Sequence, residues 1–462
     1  MASRRDQLQS YQFLVHRTIA AFVMRETDPA TSPLRRGVGA VFAGVMAAVL
    51  AAAGFGVYGL VTKSAPTSVQ TEGTVVVEKE TGADYVFLGG RLHPVLNYAS
   101  ALLAAGKEAP AASVVSGKKL AGIPLGATIG IAGAPASLPA PGRAVGMPWT
   151  ACSGPDGAGT RTLTLFVGSA QTATDQALLV SDPAGTQEFL LWHGRRYTVQ
   201  KPQTVVPALF GALVTPTPVT TAWLNALPAG TDIAPLAVPG QGADSPAVPG
   251  RRIGDLLVAT TGAGPQYYLV RPDGLQPITA LQKDILLAQY PGEPSAAALS
   301  DIAGLPRSQT PGPTTTATDM PQSPPTLGTP APADPICAQW RDAHTPPTLA
   351  FASLPTSAAA AVPTGPSGIG TGIADRILVP SGHVAVVRAL PSPDAASGAY
   401  YVITDIGVRY FVPSDTVLRT LGYDPASAVD VPASLLTLIP SGPALDPTAA
   451  VQPVRMAVAG GS

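Results

Sequence analysis

The feature that most constrains this chain is a run of 26 residues without a charged side chain, from Gly37 to Thr62. A helix of that length, rising about 1.5 Å per residue, exceeds the roughly 30 Å hydrocarbon core of a bilayer. The sequence therefore predicts one transmembrane helix. The alternative is a cleaved signal peptide, but 36 residues precede the run, and the apolar region of a signal peptide usually has about 7–15 residues.

The charges on either side of this run predict its orientation. Six arginines and three acidic residues precede it, whereas its far side begins with Lys63 alone. By the positive-inside rule, the N-terminus is cytoplasmic and the chain after about residue 63 is extracytoplasmic. Every later stretch of spanning length contains a charge or a proline. We therefore expect a single-pass protein of the cytoplasmic membrane.

The segment before the span has apolar residues at steps of three or four, namely Leu8, Tyr11, Val15, Ile19 and Phe22. This spacing predicts a helix with one apolar stripe. Two interpretations stay open. The helix lies at the headgroup interface, or it docks onto the cytoplasmic side of another membrane protein.

The rest of the chain contains four copies of one pattern. Each copy predicts a hairpin that turns at a glycine, a short helix, and a closing turn that contains Leu-Pro or Ile-Pro; the hairpin glycines are Gly90, Gly194, Gly274 and Gly407. From these glycines to the fourth residue of the closing turn, the separations are 36, 36, 34 and 35 residues. The copies are spaced unevenly, which excludes a solenoid of constant period.

The longer intervals between copies predict a central β-rich module. Its candidate strands lie at 162–167 with 177–180, at 253–259, and at 377–379 with 383–387. The two cysteines, Cys152 and Cys337, flank parts of this module. An extracytoplasmic compartment favours a Cys152–Cys337 disulfide, and two buried free thiols are the alternative.

The predicted fold class is α+β, with a cytoplasmic helix, a transmembrane helix, and an elongated extracytoplasmic body of four α/β repeats around the central module. The predicted segments are the cytoplasmic helix (1–36), the transmembrane helix (37–62), repeat 1 (63–140), the first part of the central domain (141–187), repeat 2 (188–240), repeat 3 with a preceding central strand (241–310), a disordered Pro/Thr-rich insertion (311–335), the last part of the central domain (336–396), and repeat 4 with the C-terminal tail (397–462).

Several strings along the chain match a known family. They are Gln7–Arg17, Pro33–Arg36, Leu92–Asn97, Thr404–Tyr410, Leu421–Tyr423 and Leu438–Pro443. With these strings the sequence resembles the EccB family, the single-span core component of the actinobacterial type VII (ESX) secretion machinery. The resemblance implies the same anchor and four-repeat body. It also implies contacts with an EccC-like ATPase, EccD, EccE, a mycosin protease and other copies of EccB.

Some members of this family carry an ATPase label, and ATP is implied as a cofactor by that label only. A P-loop needs a glycine, four residues and then Gly-Lys-Ser/Thr. The two Gly-Lys pairs, at Gly106 and Gly117, are not followed by Ser or Thr, and Ala101 and Ala112 stand where the first glycine belongs. The glycine-rich run 153–160 follows Cys152 and does not join a strand to a helix.

The remaining candidates for chemistry are also weak. The five histidines do not have metal-ligand spacing, and we expect His93 to pack at its hairpin. The sequence thus predicts no catalytic, cofactor-binding or metal-binding residue. A net charge of −1 provides no basic field for nucleic acid.

Three functional hypotheses follow from these observations. The leading one is a structural and assembly subunit that anchors and oligomerises a secretion complex for export of WXG100-type proteins. A cell-envelope glycan-binding module is the second, with Tyr197, Tyr267, Tyr401 and Tyr410 as its candidate contacts. An extracytoplasmic nucleotide hydrolase is the third.

Overall fold

The computed structural model describes residues 3–25, 34–62, 69–156, 159–313, 316, 319–351, 354, 361–364 and 372–454. The chain forms two compact units, 1–71 and 72–462. Both helices and β-sheets are present, so the predicted α+β class is confirmed.

The first unit contains two helices, α1 (Arg4–Met24) and α2 (Leu34–Thr62). Helix α1 begins at a capping box, in which the Ser3 N–H donates to the Asp6 carboxylate and the Ser3 hydroxyl accepts from the backbone. Helix α2 includes the apolar stretch Gly37–Phe55, which is the one helical stretch within the described part of the chain that is long and apolar enough to cross a membrane.

The second unit begins with a four-stranded sheet. Its elements are β1 (Thr74–Glu78), β2 (Asp84–Leu88), β3 (Arg91–Pro94), α3 (Tyr98–Ala105), β4 (Ser113–Val115) and α4 (Gly117–Leu120). Strands β5 (Trp149–Pro155) and β6 (Arg161–Phe166) follow. A second four-stranded sheet comes next, with β7 (Leu178–Ser181), β8 (Glu188–Trp192), β9 (Arg195–Val199), α5 (Pro202–Phe210), β10 (Thr217–Pro218) and α6 (Thr221–Ala226).

Two more four-stranded sheets complete the body. The third has β11 (Leu256–Thr261), β12 (Gly264–Arg271), β13 (Gly274–Ile278), α7 (Ala280–Gln289), β14 (Ser295–Ala296) and α8 (Leu299–Ala303). Strands β15 (Ile336–Trp340), β16 (Thr348–Phe351), β17 (Val362–Pro363) and β18 (Arg376–Leu378) follow. The fourth has β19 (Val384–Leu390), β20 (Ala399–Thr404), β21 (Arg409–Val412), α9 (Asp415–Thr420), β22 (Val429–Pro432), α10 (Ala433–Leu436) and α11 (Pro447–Ala450).

The four-stranded sheets share one connectivity. Their strand orders are β3-β2-β1-β4, β9-β8-β7-β10, β13-β12-β11-β14 and β21-β20-β19-β22. In each sheet three strands run antiparallel, and the last strand returns through a helix to pair in parallel with the first. A crossover helix is the usual connection between parallel strands, because a short turn cannot reverse the direction of the chain twice.

The remaining strands form a six-stranded central sheet in the order β16-β15-β5-β6-β18-β17. Of the strands predicted for this module, 162–167 and 377–379 correspond to β6 and β18. The other three were assigned wrongly, because β7, β11 and β19 belong to four-stranded sheets. Each of them pairs with the hairpin that follows it and with its own returning parallel strand. The predicted domain boundaries stay predictions.

Shared hydrophobic clusters show which sheets of the body pack together. One cluster joins the central sheet to the second and fourth sheets and includes Trp149, Leu191 and Ile403, all buried. Another joins the first sheet to the fourth and includes Val86 and Val402. A third joins β8 and β9 to α7 of the third sheet. The first and last sheets of the chain are therefore neighbours.

The Pro/Thr-rich segment 311–335, for which disorder stays a prediction, contacts the body over its described residues. The side chains of Met320 and Leu327 pack against the cluster between the second and third sheets. The Ala177 N–H donates to the Thr326 carbonyl at 2.9 Å, and the Gly328 N–H donates to the Ala177 carbonyl at 2.7 Å. Its described residues form no helix or strand, but they make hydrogen bonds and apolar contacts with the body.

Candidate functional site

The closing turn of each copy binds the second strand of its hairpin by the same pair of backbone bonds. In the first sheet the Leu92 N–H donates to the Pro124 carbonyl at 2.8 Å, and the Gly126 N–H donates back to the Leu92 carbonyl at 3.0 Å. The corresponding pairs of donors are Arg196 with Gly230, Leu275 with Ser308, and Arg409 with Gly442. These bonds cover the hairpin edge of each sheet, and they explain the nearly constant separations in the sequence.

In the first, second and fourth sheets, the side chain three residues after the hairpin glycine lies over the last residue of the closing turn. A Cβ built on Gly230 would lie 2.5 Å from Cδ1 of Tyr197, and one on Gly442 would lie 2.6 Å from Cδ1 of Tyr410. Both tyrosines are buried, and burial raises the pKa of each phenol. They are core residues, so neither is available as a glycan contact.

His93 has the same position in the first sheet as these tyrosines. Its ring lies over Gly126, and its Nδ1 is 2.8 Å from the Ala127 carbonyl oxygen. The ring therefore packs and bonds within its own hairpin and closing turn.

The four predicted hairpin glycines all have positive φ, but their surroundings differ. Space around Gly90 is open, whereas a Cβ on Gly194 would overlap the carbonyl of Pro347 in the loop between β15 and β16. A Cβ on Gly407 would lie 3.2 Å from Cβ of Ile377 in β18. The hairpins of the second and fourth sheets thus contact the central sheet at their turns.

Cys152 and Cys337 form the predicted disulfide. They are directly opposite each other in the antiparallel strands β5 and β15, and both are buried. The bridge joins two neighbouring central strands that lie 185 residues apart in the sequence.

A cleft of about 540 Å³ separates the closing turn of the second sheet from the 340–347 loop and the fourth sheet. Its walls include Arg195, His344 and Asp394, and its prolines are Pro228, Pro346, Pro347, Pro391, Pro393 and Pro432. The cleft could not be predicted from the sequence, because its lining residues come from five separate stretches of the chain. Two of the lining residues, Leu227 and Pro228, belong to a closing turn that the sequence predicts.

Polar contacts beside this cleft join the 340–347 loop to the β19–β20 connection and stabilise the loop and the fourth sheet internally. The His344 Nδ1 lies 2.6 Å from the Pro393 carbonyl oxygen. Arg388 donates from Nε and Nη2 to the Asp430 carboxylate at 2.6 and 2.7 Å, and these bonds raise the pKa of Arg388. Burial raises the pKa of Asp342, but donors from Thr345 and His344 outweigh it and leave that pKa below its ordinary value.

The predicted apolar stripe of α1 is only part of the apolar surface of that helix. Leu8, Tyr11 and Phe22 are exposed, and Val15 and Ile19 are half-buried. Phe13, which is 65% exposed, lies on the opposite side of the helix at 100° per residue.

The glycine-rich run 153–160 joins β5 to β6, and the Thr160 N–H donates to the Asp156 carboxylate at 2.8 Å. A P-loop joins a strand to a helix, so this hairpin has a different structure. Over the described residues no group of three or more His, Cys, Asp and Glu side chains is arranged to hold a metal ion.

A family model described as "Type VII secretion system ESX-1, transport TM domain B", that of EccB, matches residues 1–455. The chain belongs to the EccB family. The resemblance drawn from the sequence strings is thereby confirmed, and the chain is a component of type VII secretion.

Relatives and solved structures agree with this family. A Mycobacterium tuberculosis protein named "ESX-2 secretion system ATPase EccB2" is 29% identical over 419 residues, covering 84% of this chain and 82% of that protein. A chain in the structure of an intact ESX-5 inner membrane complex is 25% identical, with a TM-score of 0.64, and the match covers 99% of this chain and 96% of that one. A chain of the EccB3 dimer from the ESX-3 core complex is 28% identical, with a TM-score of 0.65, covering 82% and 100%.

Proposed function

We propose that this chain is a structural and assembly subunit of a type VII secretion membrane complex that exports WXG100-type helical proteins. The observation that carries the proposal is the likeness, over 99% of this chain, to a chain of an intact inner membrane complex. The order of the elements along the chain suits this role. An N-terminal helix with exposed apolar side chains is followed by one apolar helix and then by a large body with its own hydrophobic core.

The proposed orientation places α1 in the cytoplasm and the body outside the cytoplasmic membrane. Two observations support it. The arginines before α2 follow the positive-inside rule, and the buried Cys152–Cys337 disulfide suits an oxidising compartment.

On the outer side, the body is proposed to contact other copies of itself. The EccB3 chain with the same fold forms a dimer in its own structure, and the match covers all of that chain. A mycosin protease is a further proposed partner on this side, and that assignment rests on the family resemblance.

On the inner side, α1 is proposed to dock onto the EccC-like ATPase, EccD or EccE. Tyr11 is 69% exposed and Phe22 is 87% exposed in this helix. Large apolar side chains cost free energy when they stay in water, so a helix that carries several of them gains from a partner surface. The headgroup interface is the competing location.

The test is purification of the full-length chain from native membranes in mild detergent, with mass spectrometry of the co-purifying chains. We expect EccC-, EccD- and EccE-like proteins with the wild type. The double substitution Tyr11→Glu, Phe22→Glu should remove at least one of them. The matched control Gln9→Glu, Gln12→Glu adds the same charge and should keep all of them.

Two outcomes would contradict the proposal at different points. A wild-type chain that purifies without other secretion components would overturn the role as a subunit. Full complexes from the Tyr11→Glu, Phe22→Glu variant would overturn docking by α1 and favour the headgroup interface.

The word ATPase in the name of the relative raises nucleotide hydrolysis as a second activity. The chain lacks the P-loop pattern, and its glycine-rich run lies between two strands. We expect the full-length chain, purified free of the EccC-like protein, to hydrolyse no ATP above the buffer control. Hydrolysis that co-elutes with the isolated chain would show that it has an active site of a different kind.

A further inference from the structure

The segment that follows the third sheet is rich in Pro, Thr and Ser and lies against the body through its backbone. The Gln309 N–H donates to Asp273 at 2.8 Å, and the Gln276 side chain donates to the Pro311 carbonyl at 2.8 Å. Further along, the Leu281 N–H donates to the Gln322 carbonyl at 3.0 Å. Backbone groups of this segment therefore face the body.

Two residues of the segment have hydroxyl side chains that are exposed to solvent. Thr310 and Ser323 are exposed, and so are both sequence neighbours of each. Neither hydroxyl makes a hydrogen bond within the part of the chain that the structure describes. Each lies at a bend of the chain and precedes a proline, which has no N–H to donate to a β-ladder.

Two other threonines of the segment provide an internal contrast. Thr326 and Thr329 are exposed, but Leu327 and Pro330 beside them are half-buried and Gly328 is buried. An enzyme that must surround the acceptor residue is therefore hindered at these two positions by the body itself.

We propose that Thr310 and Ser323 are O-glycosylation sites. Segments rich in Ser and Thr that contain Pro are typical acceptors of O-linked sugars, and these two residues combine that composition with exposure of their side chains and of both sequence neighbours. The inference rests on the proposed orientation, which places the segment outside the membrane. Only 12% of the residues of this chain are charged, so O-linked sugars would add polar cover to a surface with few charges.

The reaction transfers a glycosyl group from an activated glycosyl phosphate donor by a glycosyltransferase. The hydroxyl oxygen of Thr310 or Ser323 forms a bond to the anomeric carbon of the sugar, and the bond from that carbon to the phosphate oxygen breaks. The phosphate leaves with the electron pair, and the hydroxyl proton passes to a base of the transferase.

The test uses the full-length protein purified from native membranes. Reduction and trypsin cleavage after Arg307 and Arg341 release one peptide that contains the whole segment. We expect a fraction of this peptide to carry added mass equal to whole sugar units, and electron-transfer fragmentation should place them on Thr310 and Ser323. A peptide found only at its unmodified mass, or sugar confined to other hydroxyls, would overturn the inference.

Two matched double variants sharpen the assignment. Thr310→Val, Ser323→Ala should remove most of the added mass, whereas Thr326→Val, Thr329→Val should leave it unchanged. Loss of the added mass from Thr326→Val, Thr329→Val but not from Thr310→Val, Ser323→Ala would overturn the assignment to the residues that have exposed neighbours.

A separate measurement distinguishes this inference from the proposed orientation. Protease added to intact spheroplasts should cut the body if it lies outside. An accessible but unmodified segment would reject glycosylation alone, whereas a protected body would reject the proposed orientation.

Discussion

The ring of Tyr410 lies directly over Gly442, so that a Cβ at Gly442 would come within 2.6 Å of Cδ1 of the ring. Tyr197 and Gly230 have the same relationship in the second sheet. In the third sheet the corresponding residues are Pro277 and Ser308. The one closing turn of the four that ends in a residue with a Cβ therefore belongs to the copy that has neither Tyr nor His three residues after its hairpin glycine.

This contact predicts that Gly442→Ala destabilises the fold. Tyr410 is only 2% exposed, so the ring lacks free space to move into, and overpacking of this kind typically costs about 1–3 kcal/mol. We expect a lower Tm for the detergent-solubilised protein, measured by intrinsic fluorescence. Gly292→Ala is the control, because a Cβ there meets nothing within 4 Å. Equal Tm values for the two variants would contradict the proposed clash.

The hairpin glycines predict a second pair of substitutions with unequal effects. Gly90 and Gly194 have φ values of 74° and 70°, so alanine should cost about 1–2 kcal/mol of backbone strain at either position. Gly194→Ala also overlaps the Pro347 carbonyl, whereas Gly90→Ala enters open space. We expect the larger decrease in Tm for Gly194→Ala. Similar decreases would show that the 340–347 loop moves away from the added Cβ, and they would contradict the expected difference.

The disulfide predicts a large loss of stability on its removal. In the chain-entropy model, a bridge across 185 residues contributes up to about 5 kcal/mol to the free energy of unfolding. The double substitution Cys152→Ala, Cys337→Ala should therefore shift the urea midpoint to lower concentration. Reductant should shift the wild type similarly and leave the double variant unchanged. A reduced wild type, verified by thiol labelling, with an unchanged midpoint would contradict this expectation.

The turn between β7 and β8 predicts a pH-dependent contribution from Asp182. The Thr186 hydroxyl donates to this carboxylate at 2.6 Å and backbone N–H groups of Thr186 and Gln187 donate as well, and they lower the pKa of Asp182. A lowered folded-state pKa means that the ionised carboxylate stabilises the fold. This stabilisation is present above the unfolded-state pKa of about 3.9 and is lost as the pH falls through the folded-state value.

The measurement is the Tm of Asp182→Asn against that of the wild type at several pH values. We expect a lower Tm for the variant near neutral pH and a difference that shrinks below about pH 4. Asp244→Asn, in an exposed loop, is the charge-matched control. A difference between Asp182→Asn and the wild type that does not change with pH would contradict the role of the ionised carboxylate.

The strand predictions show where sequence reasoning failed. The run 177–180 has the composition of a buried strand, and so has 162–167, but these runs belong to different sheets. Composition cannot distinguish them, because burial on both faces produces the same apolar run in either sheet. The sheet to which a strand belongs depends on the strands it pairs with. For β7 these are the first strand of the following hairpin, β8, and the returning strand β10.

The contacts of the Pro/Thr-rich segment could not be predicted for a related reason. Its composition argues against helix and strand formation, and that inference holds over its described residues. Composition does not report bonds donated by other segments, such as those from Ala177 and Leu281.

The sequence by itself determined the membrane helix, the hairpin glycines and the closing turns. These features depend on local properties, namely an uncharged run long enough to span a bilayer and backbone conformations that Gly and Pro favour. Tertiary structure alone decided the six-stranded sheet, the cleft at Pro346, and the packing of the first sheet against the fourth. These contacts join segments such as β5 and β15 that lie far apart in the chain, and their stability comes from burial that the two segments share, which leaves no periodic signal in either one.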